Sequence, residues 1–310
     1  MAVPEDAEPV VPIDPATQIG LVSLSVADLQ RSLDYYTQAL GFAVLEKGTH
    51  DAALGAGGNL LVLLVEQRGA RPWPTDGVTG LYHFALLLPS RADLGSWLRH
   101  YLSLDFPPPG QGDHLVSEAF YLRDPDGHGI EVYRDRPRSE WQWNHGRVRM
   151  ATEPVDVQGM VQEADRQGGS WQGLPSGTII GHIHLQAGDL TRVEEFYHRL
   201  LGFDVVSTFP GALFISAGRY HHHLGLNTWH SAGAKPAPAD TAQLRFFTLT
   251  FASDTARDAV ADRLAHSGYH LVRLGKAWSV RDPWGNLLLL HTNGVDYSVA
   301  ASFSTAVASV

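Results

Sequence analysis

The chain has 310 residues, 44% of them hydrophobic, enough to fill the cores of two ordinary domains. Its net charge is -10 and no basic cluster interleaves with aromatic residues, which argues against nucleic acid or an anionic membrane as a partner. Cysteine is absent, so disulfides, thiolate catalysis and cysteine metal sites are excluded and the 16 histidines remain as ligand-type residues.

Residues 1–17 are acidic and carry Pro4, Pro9, Pro12 and Pro15, which reads as a flexible N-terminal arm and not as a signal peptide. No apolar run reaches the ~18 residues of a membrane span, and a cytoplasmic protein is expected. Beyond the arm the chain repeats itself. Ile19-Gly20-Leu21-Val22-Ser23-Leu24 leads to Asp28-Leu29, Tyr36 and Leu40-Gly41-Phe42. At one constant offset, Ile180-Gly181-His182-Ile183-His184-Leu185 leads to Asp189-Leu190, Tyr197 and Leu201-Gly202-Phe203. Each copy spells a strand, an Asp at a helix start, an amphipathic helix closed by glycine, and further strands. Leu81 to Leu86 with Arg123-Asp124-Pro125-Asp126-Gly127 corresponds in the same way to Arg245 to Leu249 with Arg281-Asp282-Pro283-Trp284-Gly285. The chain therefore reads as an α+β fold of four βαβββ modules, at 18–67, 80–135, 179–230 and 243–292. Residues 18–135 and 179–292 hold two modules each. The linker 136–178 carries a short helix from Val155 to Asp165, and 293–310 form a C-terminal tail, frayed or packed on a neighbour.

The copies differ where chemistry is possible. Module three has His182 where module one has Leu21, and His221-His222-His223 where module one has Leu60-Leu61-Val62. Module two has His83, Tyr121 and Glu131 where module four has Phe246, Ser279 and Leu289. A lone strand histidine is ordinarily a hydrogen-bonded structural residue. Ligand-type residues at equivalent positions, each apolar or inert in the other copy, argue for function. Phe120 to Arg123 reads as a strand, Asp124 to Gly127 as a turn and Ile130 to Tyr133 as the return strand, with Glu131 on the face opposite Ile130 and Val132. A carboxylate there faces solvent or binds something that offsets its desolvation.

The positions Gly112, His114, Phe120, Tyr121, Asp124-Pro125, Gly127 and Glu131 resemble the signature of the extradiol ring-cleaving dioxygenases. These belong to the vicinal-oxygen-chelate (glyoxalase/bleomycin resistance/dioxygenase) superfamily. Tyr82-His83-Phe84-Ala85, Gly181 to Leu185 and Tyr220-His221-His222-His223 are most similar to the catechol 2,3-dioxygenases of the CatE type, over about residues 18–292. The resemblance implies that modules pair into two cups, with ligands on the first and last strands of each pair. Pairing two with three, and one with four, brings His83, His182 and Glu131 into one cup, and that arrangement is expected.

Two histidines and one carboxylate leave open positions, the pattern of non-haem Fe(II) sites, with Mn(II) as the other candidate ion. The resemblance implies a catechol and O₂ as substrates, ring cleavage beside the hydroxyl pair to a semialdehyde, and a homo-oligomer. It makes His222 the acid–base residue, a role that the ordinary imidazole pKa suits, and His114 and Tyr121 the groups that hydrogen-bond the catecholate. Alternation sets His221 and His223 away from His222, so one of the three enters the cup. His184 is either a partner of the ligands or a structural contact, and His128 and His145 read as exposed turn and linker residues. Two rivals share the scaffold. A glyoxalase-like isomerase or lyase needs a second carboxylate ligand, yet no Asp or Glu lies between Asp204 and Asp240. A small-molecule-binding resistance protein has no need of the triad.

Overall fold

The computed structural model describes residues 9–168, 170–292 and 294–307. The first module runs β1 (Gln18–Val26), α1 (Leu29–Tyr35), β2 (Ala43–Lys47), β3 (Asp51–Ala56) and β4 (Asn59–Glu66). The second runs β5 (Val78–Leu87), α2 (Arg91–Leu102), β6 (Gly110–Asp113), β7 (Ser117–Arg123) and β8 (Gly129–Asp135). A ribbon of β9 (Trp143–Asn144) with β10 (Arg147–Val148) follows, then α3 (Val157–Gln167), close to the linker helix expected from the sequence. The third module is β11 (Ile179–Gln186), α4 (Leu190–Val193), β12 (Asp204–Phe209), β13 (Ala212–Ser216) and β14 (Leu224–Asn227). After the short β15 (Lys235–Pro236), the fourth comprises β16 (Leu244–Phe251), α5 (Asp254–His266), β17 (Val272–Leu274), β18 (Ala277–Arg281) and β19 (Leu287–Thr292), and α6 (Tyr297–Val307) ends the fold.

Side chains set the helix starts: Asp28, Ser90, Asp156, Asp189 and Ser253 each accept a first-turn backbone N–H of α1 to α5 in that order. Helices α1 and α4 both continue into a wider turn, Tyr36–Leu40 and Glu194–Leu200. These turns present Tyr36 and Tyr197 at equivalent repeat positions. Their hydroxyls donate to the buried carboxylates of Asp124 (3.0 Å) and Asp282 (2.8 Å) in the Asp-Pro turn of the following module. Module one is thereby latched to two, and three to four, without sharing a sheet.

Each sheet joins two modules, two with three in one and four with one in the other. One has the order β12-β13-β14-β11-β5-β8-β7-β6, so modules three and two meet edge to edge through antiparallel β11 and β5. The other runs β17-β18-β19-β16-β1-β4-β3-β2 and joins four to one through β16 and β1. The expected pairing of two with three and one with four is the one observed. The main apolar core, with Tyr36, Phe84, Trp97, Phe196 and Phe247 fully buried, packs the helices on one face of each sheet. The other faces form the cups.

The two cups are filled differently. In the four–one cup, Leu21, Phe246 and Leu289, the counterparts of His182, His83 and Glu131, cluster with Ala300 and Phe303 of α6. The tail, expected frayed or on a neighbour, thus plugs its own chain's second cup, whose apolar floor would otherwise face water. Residues 9–17 also depart from the loose arm expected. Ile13 and Thr17 are buried, and the Ile13 N–H donates to the Gly202 carbonyl at 2.8 Å, because the segment covers apolar surface of module three. Residues 1–8 of that arm lie outside the described residues.

Candidate metal centre

Strand β5 lies between β11 and β8, and Ala85 pairs with His182 on one side and Glu131 on the other. The three form one row of the sheet, with His83 two residues along β5 on the same face. This row depends on a bulge in β11 between Ile180 and His182. There Gly181 passes over Tyr133, whose hydroxyl would stand 1.8 Å from a Cβ at that position. Ala85 is buried, and its methyl is short enough to leave room between the imidazoles and the carboxylate.

His83 Nε2 and His182 Nε2 each stand 3.1 Å from Glu131 Oε2. The three donor groups lie within 4.8 Å of one another and all are buried. Only the His182 contact has hydrogen-bond geometry, and His83 Nε2 and His182 Nδ1 are buried without a partner. Buried imidazole nitrogens are normally satisfied, so these two call for an explanation. Neighbouring ligands of an octahedral ion with bonds of about 2.1 Å stand about 3.0 Å apart, so the two 3.1 Å separations and the unsatisfied Nε2 both fit a metal ion. Burial pushes the Glu131 carboxyl up, but the imidazoles of His182 and His83 outweigh it and hold it well below the usual range, hence ionised. Burial also drives His83 down, against the pull of Glu131, toward the neutral form that ligates.

Three further side chains surround the triad. Tyr121 pairs with Glu131 across β7 and β8, and its hydroxyl meets His114 Nε2 at 2.6 Å. His114 Nδ1 lies 2.8 Å from the Ala151 carbonyl, which can only accept. The proton is therefore on Nδ1, and Nε2 accepts from Tyr121. Burial, then the charge of Glu131, raises the Tyr121 hydroxyl well above its ordinary pKa and keeps it a neutral donor. The His222 ring lies 4.1 Å from that of His182, centroid to centroid, and faces the same cavity. Burial, then His182 and His221, push His222 well below the ordinary imidazole value, so it does not titrate near neutrality as the sequence suggested.

Residues 221–223 precede β14 and are not strand, so alternation does not sort them. His222 lines the cavity; His223 Nδ1 accepts from the Ala217 N–H at 3.1 Å. His221, expected to point away, stays beside His222 with their Nδ1 atoms 2.8 Å apart. His184 is a wall residue: its Nε2 accepts from Asn227 Nδ2 at 3.0 Å, and Asn227 Oδ1 is fixed by the Trp229 N–H. His128 is fully buried, contrary to the exposed turn expected, because its Nδ1 closes the Asp124 turn at 2.8 Å as Asn286 closes that of Asp282. His145 is exposed in the turn between β9 and β10. Sequence reasoning passed over Asp135, which bonds His221 Nε2 at 2.7 Å. A signal was present, since Glu131, Tyr133 and Asp135 alternate onto one face of β8. The cavity above these groups has a volume of about 800 Å³, with Tyr82, Phe106, Phe209, Phe214 and Trp229 among its walls.

Two cups built from four βαβββ modules, one of them holding a His-His-Glu cluster, define a metal-centred paired-module protein. The family model described as Glyoxalase/Bleomycin resistance protein/Dioxygenase superfamily matches residues 18–132 and 179–290, and the chain belongs to that superfamily. A protein of Bacillus subtilis (strain 168) named catechol-2,3-dioxygenase is 44% identical over 271 residues, covering 86% of this chain and 94% of that one. Among solved structures, a putative dioxygenase from Bacillus subtilis superposes with a TM-score of 0.63 at 15% identity, covering 91% of this chain and 86% of that one. Glyoxalase I from Zea mays does so with a TM-score of 0.54 at 17% identity, covering 94% and 96%. At these identities the structural likeness is one of fold.

Proposed function

We propose that the protein is an extradiol dioxygenase that cleaves a catechol with O₂, using a non-haem Fe(II) ion (Mn(II) being the other candidate) held by His83, His182 and Glu131. The observation that carries this reading is the meeting of those three side chains, from modules two and three, with both imidazoles 3.1 Å from the Glu131 carboxylate beside one cavity. The identity to the Bacillus subtilis protein named catechol-2,3-dioxygenase supports it independently. When bound, such an ion supplies Lewis-acid and one-electron chemistry between a catechol and O₂.

The chain's own residues have separate tasks. His222, neutral and bordering the cavity, takes a proton from a catechol hydroxyl. The Tyr121 hydroxyl, which rests on His114 Nε2, exchanges that bond and turns its one proton to the oxygen so exposed. Aromatic walls hold the ring by stacking and exclude water, which strengthens both polar contacts. Arg123, the one Lys or Arg lining the cavity among the described residues, is exposed and donates to the Gly127 carbonyl, so an uncharged catechol suits the site. Both atoms of O₂ enter the ring-opened semialdehyde, and no other co-reactant is consumed. The glyoxalase-like reading loses ground because no carboxylate occurs between Asp204 and Asp240 to act as a fourth ligand. Metal-stripped protein reloaded anaerobically with Fe(II) should consume one O₂ per catechol and form the yellow semialdehyde. Retention of iron without O₂ uptake would sink the assignment.

A further inference from the structure

The side chains behind His222 form a continuous chain. His221 Nδ1 lies 2.8 Å from His222 Nδ1, and His221 Nε2 lies 2.7 Å from Asp135 Oδ1. The same Asp135 oxygen accepts from the Tyr220 hydroxyl at 3.2 Å, and that hydroxyl is 2.8 Å from the hydroxyl of Tyr133. A carboxylate only accepts, so the proton of a neutral His221 sits on Nε2 and its Nδ1 offers a lone pair. His222 Nδ1 must then carry a proton and donate it. Its Nε2 is left as an acceptor toward the cavity, and none of the hydrogen bonds among the described residues engages it.

The placement of charge gives this chain its purpose. His222 is buried, and among the described residues no carboxylate forms an ion pair with it. A proton held on His221 would place the cation against Asp135, whose side chain is 23% exposed and so reaches water.

We propose that His221 and Asp135 are a proton relay behind His222. As His222 Nε2 takes the catechol proton, the His222 Nδ1 proton passes to His221 Nδ1, and the positive charge comes to rest on a His221 imidazolium paired with Asp135. The catechol loses one proton, His222 gains one and gives up one, and His221 gains one. The reverse transfer returns the proton to the ring-opened product. His221 and Asp135 act through His222 and are positioning residues. The inference rests on the reading of the cavity as a catechol dioxygenase site.

The test uses the full-length iron-loaded enzyme, with Asp135→Asn and His221→Phe compared on catechol and on 4-nitrocatechol, a catechol already ionised near neutral pH. Loss of the relay should lower kcat on catechol by about 10–100-fold, with KM and iron content within about twofold of wild type. On 4-nitrocatechol the loss should shrink below about threefold, because little proton transfer to His222 is then required. A purely structural role would slow both substrates alike, and that result would overturn the relay. So would variants that turn catechol over at the wild-type rate. If His221→Phe does not fold, the isosteric Asp135→Asn decides the matter alone. A wild-type enzyme that binds iron and leaves catechol intact would remove the underlying reading and the relay with it.

Discussion

Replacing the triad by its own counterparts from the inert cup should make the metal-free protein more stable. The change is His83→Phe, Glu131→Leu and His182→Leu together, which copies Phe246, Leu289 and Leu21. The exchange is close to neutral in burial: the triad residues are 6%, 3% and 1% exposed and the counterparts 0%, 0% and 3%. What changes is polarity. His83 Nε2 and His182 Nδ1 are buried without a partner, and each such nitrogen costs ~1–3 kcal/mol. Exchanging a buried ionic cluster for apolar residues of similar volume typically gains ~1–4 kcal/mol. The three contacts act as one unit, so the terms are not simply additive. A net gain of ~2–5 kcal/mol is expected, which raises the thermal midpoint of a chain this long by ~3–8 °C. The assay is urea and thermal unfolding of chelator-treated wild type and triple variant, with iron binding lost in the variant. A variant that unfolds at the same or lower urea concentration would refute the reasoning, because the triad would then not be held against a stability cost.

Other expectations follow from single sites. His222→Ala should keep its iron and lose turnover by ~10²–10⁴-fold, measured by metal analysis and steady-state O₂ uptake. Phe303→Ala should undock α6 and leave turnover intact, read as fast amide exchange over 297–307 and as dye binding to the bared apolar cup. Burial raises the Asp124 carboxyl, but His128 and Tyr36 outweigh that and hold it below its ordinary value, whereas burial prevails at Asp282. A depressed folded-state pKa contributes stability above the unfolded value of ~4, and that contribution disappears as pH falls through the folded value. His128→Asn should therefore cost ~1–3 kcal/mol at neutral pH, and its urea midpoint should converge on wild type as the pH drops below ~4. A gap that stays constant with pH would contradict this.

The repeat made most of the fold legible. A constant offset between Ile19 and Ile180 places equivalent strands without any knowledge of packing, and the contrast of His182 with Leu21 and of His83 with Phe246 picks out the cup that carries polar groups. What stayed hidden is non-local. The plug formed by Ala300 and Phe303 has no partner visible in the tail's own sequence, because the surface it covers comes from β1, β4, β16 and β19. His128 looks like an exposed turn residue until its bond to Asp124 is seen, although Asn286 at the matching place was a hint. The place of His221 behind His222 is not legible because strand alternation sets it on the opposite face, and the loop 221–223 obeys no such rule. Its partner Asp135 lies on a strand of another module.

The most direct test of the account is diffraction at the iron absorption edge from crystals of the Fe(II)-loaded protein. A single anomalous peak bounded by His83, His182 and Glu131, within the cavity that His222 and Tyr121 line, is the result expected. Iron ligated by other side chains, or an empty cup in protein that retains iron in solution, would contradict it.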